Sequence, residues 1–290
     1  MTRKLSIVIP AYNESMNIGA VIPRLREVLA EADEIIVVDD GSSDNTADVA
    51  EEAGARVIRR AYNVGNGAAV KTGIRAAKGD YIIIMDGDGQ HDPNDIPRIV
   101  EQLGDYHMVV GARTSESDSD LHRDVANQIF NQFATYLAKH RIDDLTSGFR
   151  GLHADIAKQF AYLLPNTFSS PTTLTLGLIR AGYLVKYIPI VAARRGGKSK
   201  IRPIADGIRF FLIMLKISTL FSPLRVFIPI SGVFFGTGAL YYLYTYATVH
   251  RFTNMSMLLL VTGALTFMLG LVSEQIAQMR LDRTDEHLDE

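Results

Sequence analysis

The 290-residue sequence contains no cysteine and no tryptophan. Without cysteine there can be no disulfide bond, no thiolate metal site and no cysteine nucleophile, and this absence is compatible with the cytoplasm. An excess of charge of either sign is also missing, because 30 Lys and Arg residues nearly balance 32 Asp and Glu residues, for a net charge of −2. This balance argues against a chain-wide polycation that binds nucleic acid. With 47% hydrophobic residues, the composition is that of a folded chain of one or two domains.

Short apolar stretches alternate with helix-like segments in the first part of the chain. The predicted strands are Leu5–Ile9, Glu34–Asp39, Arg56–Arg59, Asp80–Asp86 and Met108–Gly111. The predicted helices between them are Asn17–Ala32, Asn45–Ala53, Gly67–Ala77 and Asp95–Leu103. This alternation predicts an α/β fold in which a mostly parallel sheet carries helices on both faces. Farther along, Gln128–Leu137 predicts one more helix and Ile188–Ile190 one more short strand.

The composition becomes strongly basic after the predicted sheet. Between residues 186 and 225, nine Lys and Arg residues stand against one acidic residue, which leaves a local charge of +8. Inside this block, residues 204–223 place apolar side chains on one helical face and Arg209 and Lys216 elsewhere. Such a pattern is typical of a helix that lies in the membrane interface, although an ordinary surface helix packed on a core has the same pattern.

Two long uncharged apolar runs follow the basic block. Val226–Val249 has 24 residues and Phe252–Ser273 has 22, and only His250-Arg251 separates them. A helix needs about 20 apolar residues to cross a bilayer. Two buried core helices of this length would need far more protein around them than the residues that remain. The runs therefore predict a transmembrane hairpin.

The predicted segments and their charges define an expected membrane topology. The segments are a domain over residues 1–203, an amphipathic helix over 204–223, two transmembrane helices within 224–275, and a tail over 276–290. Because cytoplasmic flanks of membrane spans carry an excess of Lys and Arg, the basic block predicts that the first domain is cytoplasmic. A two-helix hairpin then returns the tail to the same side.

The fourth predicted strand ends in an acidic turn, Asp86-Gly87-Asp88. Two carboxylates around a glycine provide hard oxygen ligands, which suit Mg²⁺ or Mn²⁺ that substrate phosphates also hold. The motif alone is weak evidence, because Asp and Gly are common turn residues. His91 lies close by and is open to two interpretations, a ligand or a surface histidine.

The first two predicted strands also end in polar turns. Pro10-Ala-Tyr-Asn-Glu14 follows the first strand, and its Tyr12 is suited to stacking on a nucleobase. Val38-Asp-Asp-Gly-Ser42 follows the second, where a carboxylate can cap the next helix or accept hydrogen bonds from a nucleobase or ribose. Ligands of open parallel sheets bind beyond the carboxyl ends of the strands. The convergence of three such turns predicts a ligand site in one crevice.

In order and spacing, these motifs resemble glycosyltransferase family 2, whose fold is the Rossmann-like GT-A fold. The resemblance covers residues 4–203 and also includes Asn63-Val-Gly-Asn-Gly67 and the extended turn Asp86–Pro93. Within the family the chain is similar to polyprenyl-phosphate sugar synthases of the dolichyl-phosphate mannose synthase type. Thr146-Ser-Gly-Phe149, Arg194–Lys200 and the C-terminal hairpin carry that closer likeness.

The resemblance implies roles for individual residues. The nucleotide sugar is expected to contact Pro10, Tyr12, Glu14, Val38, Asp40, Asp86, Gly87, Asp88, Arg194 and Lys200. The metal ion is expected on Asp86, Asp88 and Gln90. The acceptor phosphate is expected on Arg113, Arg123 and Asn127, although relatives often have Ser at the position of Asn127. The catalytic set is therefore Asp86, Asp88, Arg113 and Arg123.

The resemblance further implies an inverting, Mg²⁺- or Mn²⁺-dependent enzyme anchored among membrane lipids. It would move one sugar from a nucleotide sugar, GDP-mannose or a UDP-hexose, to a dolichyl or undecaprenyl monophosphate. Processive relatives carry a Q-x-x-R-W motif, which a chain without tryptophan cannot contain. Two alternatives remain: transfer to another lipid or lipid-linked saccharide, and a catalytically silent nucleotide-sugar-binding protein at the membrane.

Overall fold

A computed structural model of the chain describes residues 3–114, 121–166, 169–193, 215–216 and 218–285. The chain divides into two compact units, Met1–Lys200 and Ile201–Glu290. The first unit contains the sheet and the second contains two long apolar helices.

Seven strands form one mixed sheet in the first unit. They are β1 (Leu5–Ala11), β2 (Glu34–Asp39), β3 (Arg56–Arg59), β4 (Tyr81–Ile84), β5 (Met108–Arg113), β6 (Arg150–His153) and β7 (Val185–Ile190). Their order is β3-β2-β1-β4-β6-β5-β7, and β6 runs antiparallel to both of its neighbours. The chain first winds from β1 towards β3 and then resumes at β4 on the other side of β1. This reversal opens a crevice at the carboxyl ends of β1 and β4.

Helices cover both faces of the sheet. They are α1 (Ser15–Val28), α2 (Thr46–Glu52), α3 (Asn66–Ala76), α4 (Ile96–Gln102), α5 (Leu121–Ala138), α6 (Ala154–Phe160) and α7 (Ser170–Arg180), with 3₁₀ turns at Pro93–Asp95 and Ala161–Leu163. Side chains of α1, α2 and α4 pack on the face that includes Ile7 and Ile83. Side chains of α3, α6 and α7 pack on the opposite face, which includes Val8 and Ile82. The central strands are apolar at consecutive positions because both of their faces are buried.

The α/β architecture with its mostly parallel sheet is confirmed, and the structure extends it. The strand predicted at Ile188–Ile190 begins earlier, at Val185, and the helix predicted at Gln128–Leu137 begins at Leu121. The sequence did not predict β6, α6 or α7. The β6 sequence, Arg-Gly-Leu-His, has no apolar run that would have predicted a strand. It is buried because it pairs with β4 on one side and β5 on the other.

The second unit contains α8 (Pro223–Val249) and α9 (Asn254–Asp285). Both are long and apolar enough to cross a membrane, with mean hydropathy 1.6 for Pro223–Val249 and 2.1 for Asn254–Met279. Small residues lie between them: Ser231 Oγ donates to the Gly263 carbonyl at 3.0 Å, and a side chain at Gly238 would meet the backbone of α9 at about 3.1 Å. Small residues let membrane helices approach closely.

The two helices of the hairpin have different boundaries from those predicted. The first helix begins at Pro223, before Val226, and the second begins at Asn254, after Phe252, and continues through Ser273 to Asp285. A carboxylate thus lies on the long apolar helix, where Glu274 Oε2 accepts a hydrogen bond from the Leu224 N–H at 3.2 Å. Of the amphipathic helix predicted over residues 204–223, positions 215–216 and 218–221 are helical, and residues 201–214 lie outside the described part of the chain.

Candidate active site

The carboxyl ends of β1, β2 and β4 meet at one edge of the sheet. Strand β1 pairs in parallel with β2 on one side and with β4 on the other, so that Pro10 lies beside Val38 and Val8 beside Ile84. The three polar turns of the sequence follow these strands directly. The structure therefore brings the predicted nucleoside and metal residues to one crevice.

The loops after β1 and β2 are hydrogen-bonded to each other. The Asn13 N–H donates to Ser42 Oγ at 2.9 Å, and the Glu14 N–H donates to Thr46 Oγ1 at 2.8 Å. Tyr12, which directly precedes Asn13 in the chain, keeps 47% of its surface exposed. The interlocked loops hold an aromatic ring at the crevice in a position where it is accessible for stacking.

Asp40 is buried and holds neighbouring backbone in place. Its carboxylate accepts hydrogen bonds from the N–H groups of Val64, at 3.2 Å, and Gly65, at 2.7 Å. Arg60 NH1 lies 3.3 Å from Asp40 Oδ1. Asp40 thus folds the turn that leads into α3, a structural role that the sequence did not predict, and Arg60 adds a positive charge beside it.

The Asp86-Gly87-Asp88 turn lies against a loop that is distant in the sequence. Asp88 Oδ1 accepts a hydrogen bond from the Gln90 N–H at 3.1 Å, which closes the turn. Gly148 faces the other carboxylate so closely that a Cβ at this position would lie 2.5 Å from Asp86 Oδ2. The missing side chain of Gly148 therefore leaves the space that the Asp86 carboxylate occupies.

His91 packs behind the same carboxylate. Its ring stacks on Phe149, with centroids 5.0 Å apart, and its Nε2 lies 3.7 Å from Asp86 Oδ2. The interpretation of His91 as a surface histidine is wrong, because only 6% of its surface is exposed. Asp86 therefore lies between the Gly148 backbone and the His91 ring, which together restrict the orientation of its carboxylate.

Arg113 forms an ion pair with Asp144 in the loop that precedes β6. Its Nε and NH2 lie 2.7 and 2.9 Å from the two carboxylate oxygens, and NH2 also donates to Thr146 Oγ1 at 2.6 Å. Burial by itself would raise the pKa of Asp144, but the hydrogen bonds and charge of Arg113 outweigh it and hold that pKa below its ordinary value. The guanidinium expected at the acceptor phosphate thus also stabilises this loop.

Arg150, at the start of β6, is a buried cation near the site that the sequence analysis did not single out. It is 1% exposed, and its NH1 donates to the Pro171 carbonyl at 2.8 Å and to Thr175 Oγ1 at 3.0 Å, while NH2 donates to the Ser147 carbonyl. Burial lowers its pKa to about 10, so the side chain stays cationic at neutral pH. The available signal was its place directly after the Thr146–Phe149 motif.

The chain after β7 returns to the acidic turn. Gln90 Nε2 donates to the Ala193 carbonyl at 3.0 Å, and the Ala193 N–H donates to the Gln90 carbonyl at 2.9 Å. Arg194 follows Ala193 directly in the sequence, but Arg194 and Lys200 both lie outside the described residues.

The remaining predicted acceptor residues lie on α5. Arg123 and Asn127 belong to its first turns, and their side chains lie outside what the structure describes. The helix is tied to the loop before β6, because Asn131 Nδ2 donates to the Asp143 carbonyl at 2.7 Å and its Oδ1 accepts from the Leu145 N–H at 3.0 Å. The loop that carries Asp144 and Gly148 therefore joins α5 to the acidic turn.

Among the residues that the structure describes, no group of three or more His, Cys, Asp or Glu side chains could hold a metal ion by itself. Asp86 and Asp88 supply two carboxylates, and Gln90 supplies an amide oxygen. Mg²⁺ and Mn²⁺ are commonly held by one or two carboxylates together with substrate phosphates. The donor set therefore fits an ion that binds together with a diphosphate.

Comparison with known families gives two matches in this chain. The model described as glycosyl transferase family 2 matches residues 6–160, and the model described as GtrB C-terminal hairpin matches residues 222–279. The first match spans most of the sheet and all three polar turns, and the second spans α8 and most of α9.

Curated relatives match a little more than half of this chain. An uncharacterized protein of Methanocaldococcus jannaschii is 34% identical over 165 residues, which are 54% of this chain and 67% of that protein. The undecaprenyl-phosphate 4-deoxy-4-formamido-L-arabinose transferase of Yersinia pestis is 32% identical over 191 residues, 59% of this chain. This match spans 58% of the length of the Yersinia protein.

A solved structure has the same fold. Glucosyl-3-phosphoglycerate synthase from Mycobacterium tuberculosis, in complex with Mn²⁺ and uridine-diphosphate-glucose, superposes with a TM-score of 0.58 at 22% identity. The superposition covers 75% of this chain and 78% of that chain. At this identity the likeness shows the fold alone, and it confirms the expected GT-A-like mixed sheet.

Proposed function

The chain belongs to glycosyl transferase family 2, and we propose that it transfers one sugar from a nucleotide sugar to a polyprenyl monophosphate in the membrane. The family match covers the crevice, the hairpin match covers the two apolar helices, and the Yersinia relative is named for transfer involving undecaprenyl phosphate. Together they favour a lipid-linked acceptor over a soluble one. The donor is a GDP- or UDP-sugar in this proposal, as for relatives of the dolichyl-phosphate mannose synthase type.

The observation that carries the proposal is the supported acidic turn at the end of β4. Asp86 is held between Gly148 and His91, and Asp88 closes the turn through the Gln90 N–H. Both carboxylates follow a strand end at the crevice where the sheet order reverses. These contacts support the proposal because they hold two carboxylates at the place where ligands of open parallel sheets bind.

Asp86, Asp88 and Gln90 would hold Mg²⁺ or Mn²⁺ on the donor diphosphate. Bound there, the ion would neutralise charge that develops on the leaving nucleoside diphosphate. Side chains of the protein would do the rest. Tyr12 and its neighbours would bind the nucleoside. Four basic residues would lower the repulsion between the donor diphosphate and the acceptor phosphate: Arg113, Arg123, Arg194 and Lys200.

The proposed transfer is a single displacement. An oxygen of the lipid phosphate attacks the anomeric carbon, a carbon–oxygen bond forms, and the bond to the donor diphosphate breaks with inversion. The nucleoside diphosphate leaves with the electron pair of that bond. Since the lipid phosphate is already an anion, no strong general base is needed, and the site contributes chiefly by positioning and by electrostatic stabilisation.

The apolar hairpin would keep the enzyme at the membrane that holds its acceptor. The local charge of +8 before α8 favours a cytoplasmic location for the crevice, where nucleotide sugars are available in this proposal. The same charge would attract anionic headgroups, at about 1 kcal/mol for each Lys or Arg near the surface.

A donor panel tests the proposal. The full chain in detergent is incubated with Mn²⁺ or Mg²⁺, a radiolabelled GDP- or UDP-sugar, and undecaprenyl or dolichyl phosphate, and the labelled lipid is extracted. We expect a metal-dependent glycosyl phospholipid with one donor of the panel. Label found only in free sugar, in diacylglycerol or in a lipid-linked saccharide would contradict the proposed acceptor, and binding of donor without any turnover would contradict catalysis.

A further inference from the structure

Asn13 lies in the chain between two residues that are expected to contact the nucleotide sugar, Tyr12 and Glu14. We propose that Asn13 is a positioning residue. It joins the loop after β1, residues 12–14, to the loop after β2, residues 40–45, so that Tyr12 and Asp40 form one preorganised nucleoside site. The inference rests on the proposed function, because it assigns a residue at the same crevice.

The backbone of Asn13 has a left-handed conformation, with a φ of 56°. Residues with a Cβ rarely adopt this region, because the Cβ comes too close to the following carbonyl oxygen. Asn and Asp adopt it more readily than other residues with a side chain, since their short polar groups can form local hydrogen bonds. The turn that follows Tyr12 therefore favours the residue type that is present.

Asn13 uses both its backbone and its side chain to contact the loop after β2. Its Oδ1 accepts a hydrogen bond from the Ser43 N–H at 2.9 Å and another from Ser43 Oγ at 3.2 Å. Its backbone N–H donates to Ser42 Oγ at 2.9 Å. Three hydrogen bonds to two consecutive residues thus hold Asn13, and with it the peptide that links Asn13 to Tyr12.

The Ser42 hydroxyl connects this contact to the end of β2. Besides accepting the N–H, it donates to Asp39 Oδ1, and the Asp39 side chain is buried. On the other side of Tyr12, the Ala11 carbonyl accepts a hydrogen bond from the Asp40 N–H at 2.9 Å. The backbone on both sides of Tyr12 is therefore bonded to the loop that carries Asp40.

This connection has a consequence for nucleotide binding. The nucleoside is expected to contact both loops, at Tyr12 in one and at Asp40 in the other. When only one arrangement of a protein binds a ligand, the apparent affinity falls with the fraction of molecules in that arrangement. Loops that are already joined in the free protein also lose less conformational freedom on binding. Asn13 would therefore raise nucleotide affinity without contacting the nucleotide.

Three substitutions of Asn13 separate the hydrogen bonds from the backbone conformation. Asn13→Ala removes the Oδ1 acceptor and keeps the strain of a Cβ at positive φ. Asn13→Gly also removes the acceptor but relieves the strain, because glycine adopts positive φ freely. Asn13→Asp keeps an acceptor of the same size and a tolerance for the left-handed region. Asn45→Ala is the matched control, since Asn45 is exposed in the loop after β2 with a φ of −83°, which alanine adopts freely.

Nucleotide affinity is the first measurement. Binding of GDP and UDP in the presence of Mn²⁺ is followed by calorimetry on the full chain in detergent. We expect Asn13→Ala and Asn13→Gly to bind the preferred nucleotide about tenfold more weakly than the wild type, which corresponds to the loss of about one hydrogen bond. Asn13→Asp and Asn45→Ala should stay close to the wild type.

The mobility of the ring at position 12 is the second measurement. Because the chain contains no tryptophan, Tyr12→Trp introduces a single indole whose fluorescence anisotropy decay reports this position alone. Adding Asn13→Ala should speed the local depolarisation, and adding Asn13→Asp should not. This measurement needs neither nucleotide nor acceptor. It therefore decides the inference even if the wild type binds neither GDP nor UDP, a result that would contradict the proposed function.

Four outcomes would overturn the inference. The first is wild-type nucleotide affinity in Asn13→Ala, and the second is an equal loss of affinity in Asn13→Asp. The third is wild-type affinity in Asn13→Gly, which would mean that the backbone conformation matters and the hydrogen bonds to Ser43 do not. The fourth is an indole in Tyr12→Trp whose depolarisation is unchanged by Asn13→Ala.

Discussion

Arg113 and Asp144 form a two-point ion pair that joins the end of β5 to the loop before β6. The Nε–Oδ2 and NH2–Oδ1 distances are 2.7 and 2.9 Å, and the Asp144 side chain is only 7% exposed. Asp144 also accepts hydrogen bonds from the N–H groups of Thr146 and Ser147, both at 3.1 Å. This pair therefore supports the loop that places Gly148 against Asp86.

Asp144→Asn should destabilise the first unit. Removing one charge of a fully buried pair costs about 3–5 kcal/mol, because the other charge is left uncompensated. Since the Arg113 side chain is 24% exposed, we expect a smaller loss of about 2–3 kcal/mol. In a unit of this size that corresponds to a melting temperature lower by about 5–10 °C. Asp143→Asn is the matched control, because Asp143 pairs with Arg141, whose side chain is 87% exposed. Thermal melting of both variants in detergent measures the difference, and equal melting temperatures would contradict the structural role.

The same pair predicts a pH dependence. The pKa of Asp144 is lower in the folded chain than its ordinary value of 3.8, so its stabilisation is complete above 3.8 and is lost as the pH falls through the folded value. The difference in melting temperature between the wild type and Asp144→Asn should be constant near neutral pH and shrink below pH 3.8. A difference that first shrinks near pH 7 would point to another group.

Asp88→Ala should abolish metal-dependent transfer and leave the fold intact. The carboxylate lies on the turn proposed to hold the ion, and removing such electrostatic stabilisation costs about 100-fold or more in rate. Product formation with Mn²⁺ or Mg²⁺ is measured beside thermal melting. Asp105→Ala, at an exposed position, is the control and should keep wild-type turnover. Near-normal turnover in Asp88→Ala would refute the metal assignment.

Gly148→Ala should damage the metal site without replacing any proposed ligand. The added Cβ would lie 2.5 Å from Asp86 Oδ2, so the carboxylate must move. A displacement of about 1 Å near the reacting groups can cost about 100-fold in rate. Gly104→Ala is the control, because its Cβ would make an ordinary contact of 3.6 Å. Mn²⁺ affinity and transfer should both fall in Gly148→Ala, and unchanged affinity would show that Asp86 does not bind the ion.

Arg123→Lys tests whether Arg123 binds the phosphate of the lipid acceptor. Arginine binds two phosphate oxygens with its planar fork, and lysine keeps the charge but not this geometry. We expect transfer to fall about tenfold while nucleotide affinity and membrane association stay unchanged. Simple attraction of headgroups would tolerate the change and weaken evenly with salt. Unchanged transfer, or an equal loss of nucleotide binding, would argue against Arg123 as the phosphate residue.

Reporter fusions test the proposed topology. If α8 and α9 cross the membrane as a hairpin, a reporter after Glu290 should report the cytoplasm, and one inserted between His250 and Arg251 should report the opposite side. An external Glu290 would mean that one of the two helices does not span.

The sequence by itself determined the elements that have a local signal. Buried strands such as Leu5–Ala11 and Glu34–Asp39 are short apolar runs, and the two helices of the hairpin are long apolar runs. The composition of consecutive residues was therefore enough to predict these elements. The acidic turn could also be predicted, because its residues are adjacent in the sequence and follow a strand that the sequence predicts. Boundaries were less accurate at Asn254, where apolar character begins before the helix does.

Only the tertiary structure decided how distant segments meet. Strand β6 has no apolar run, yet it lies between β4 and β5 and brings Gly148 and Phe149 to Asp86 and His91. Its position depends on strand order, which the local pattern of Arg-Gly-Leu-His does not encode. The hydrogen bond from Gln90 to Ala193 has the same origin, because the return of the chain after β7 brings the Ala193 carbonyl to the side-chain N–H of Gln90, a contact that the local motif does not encode.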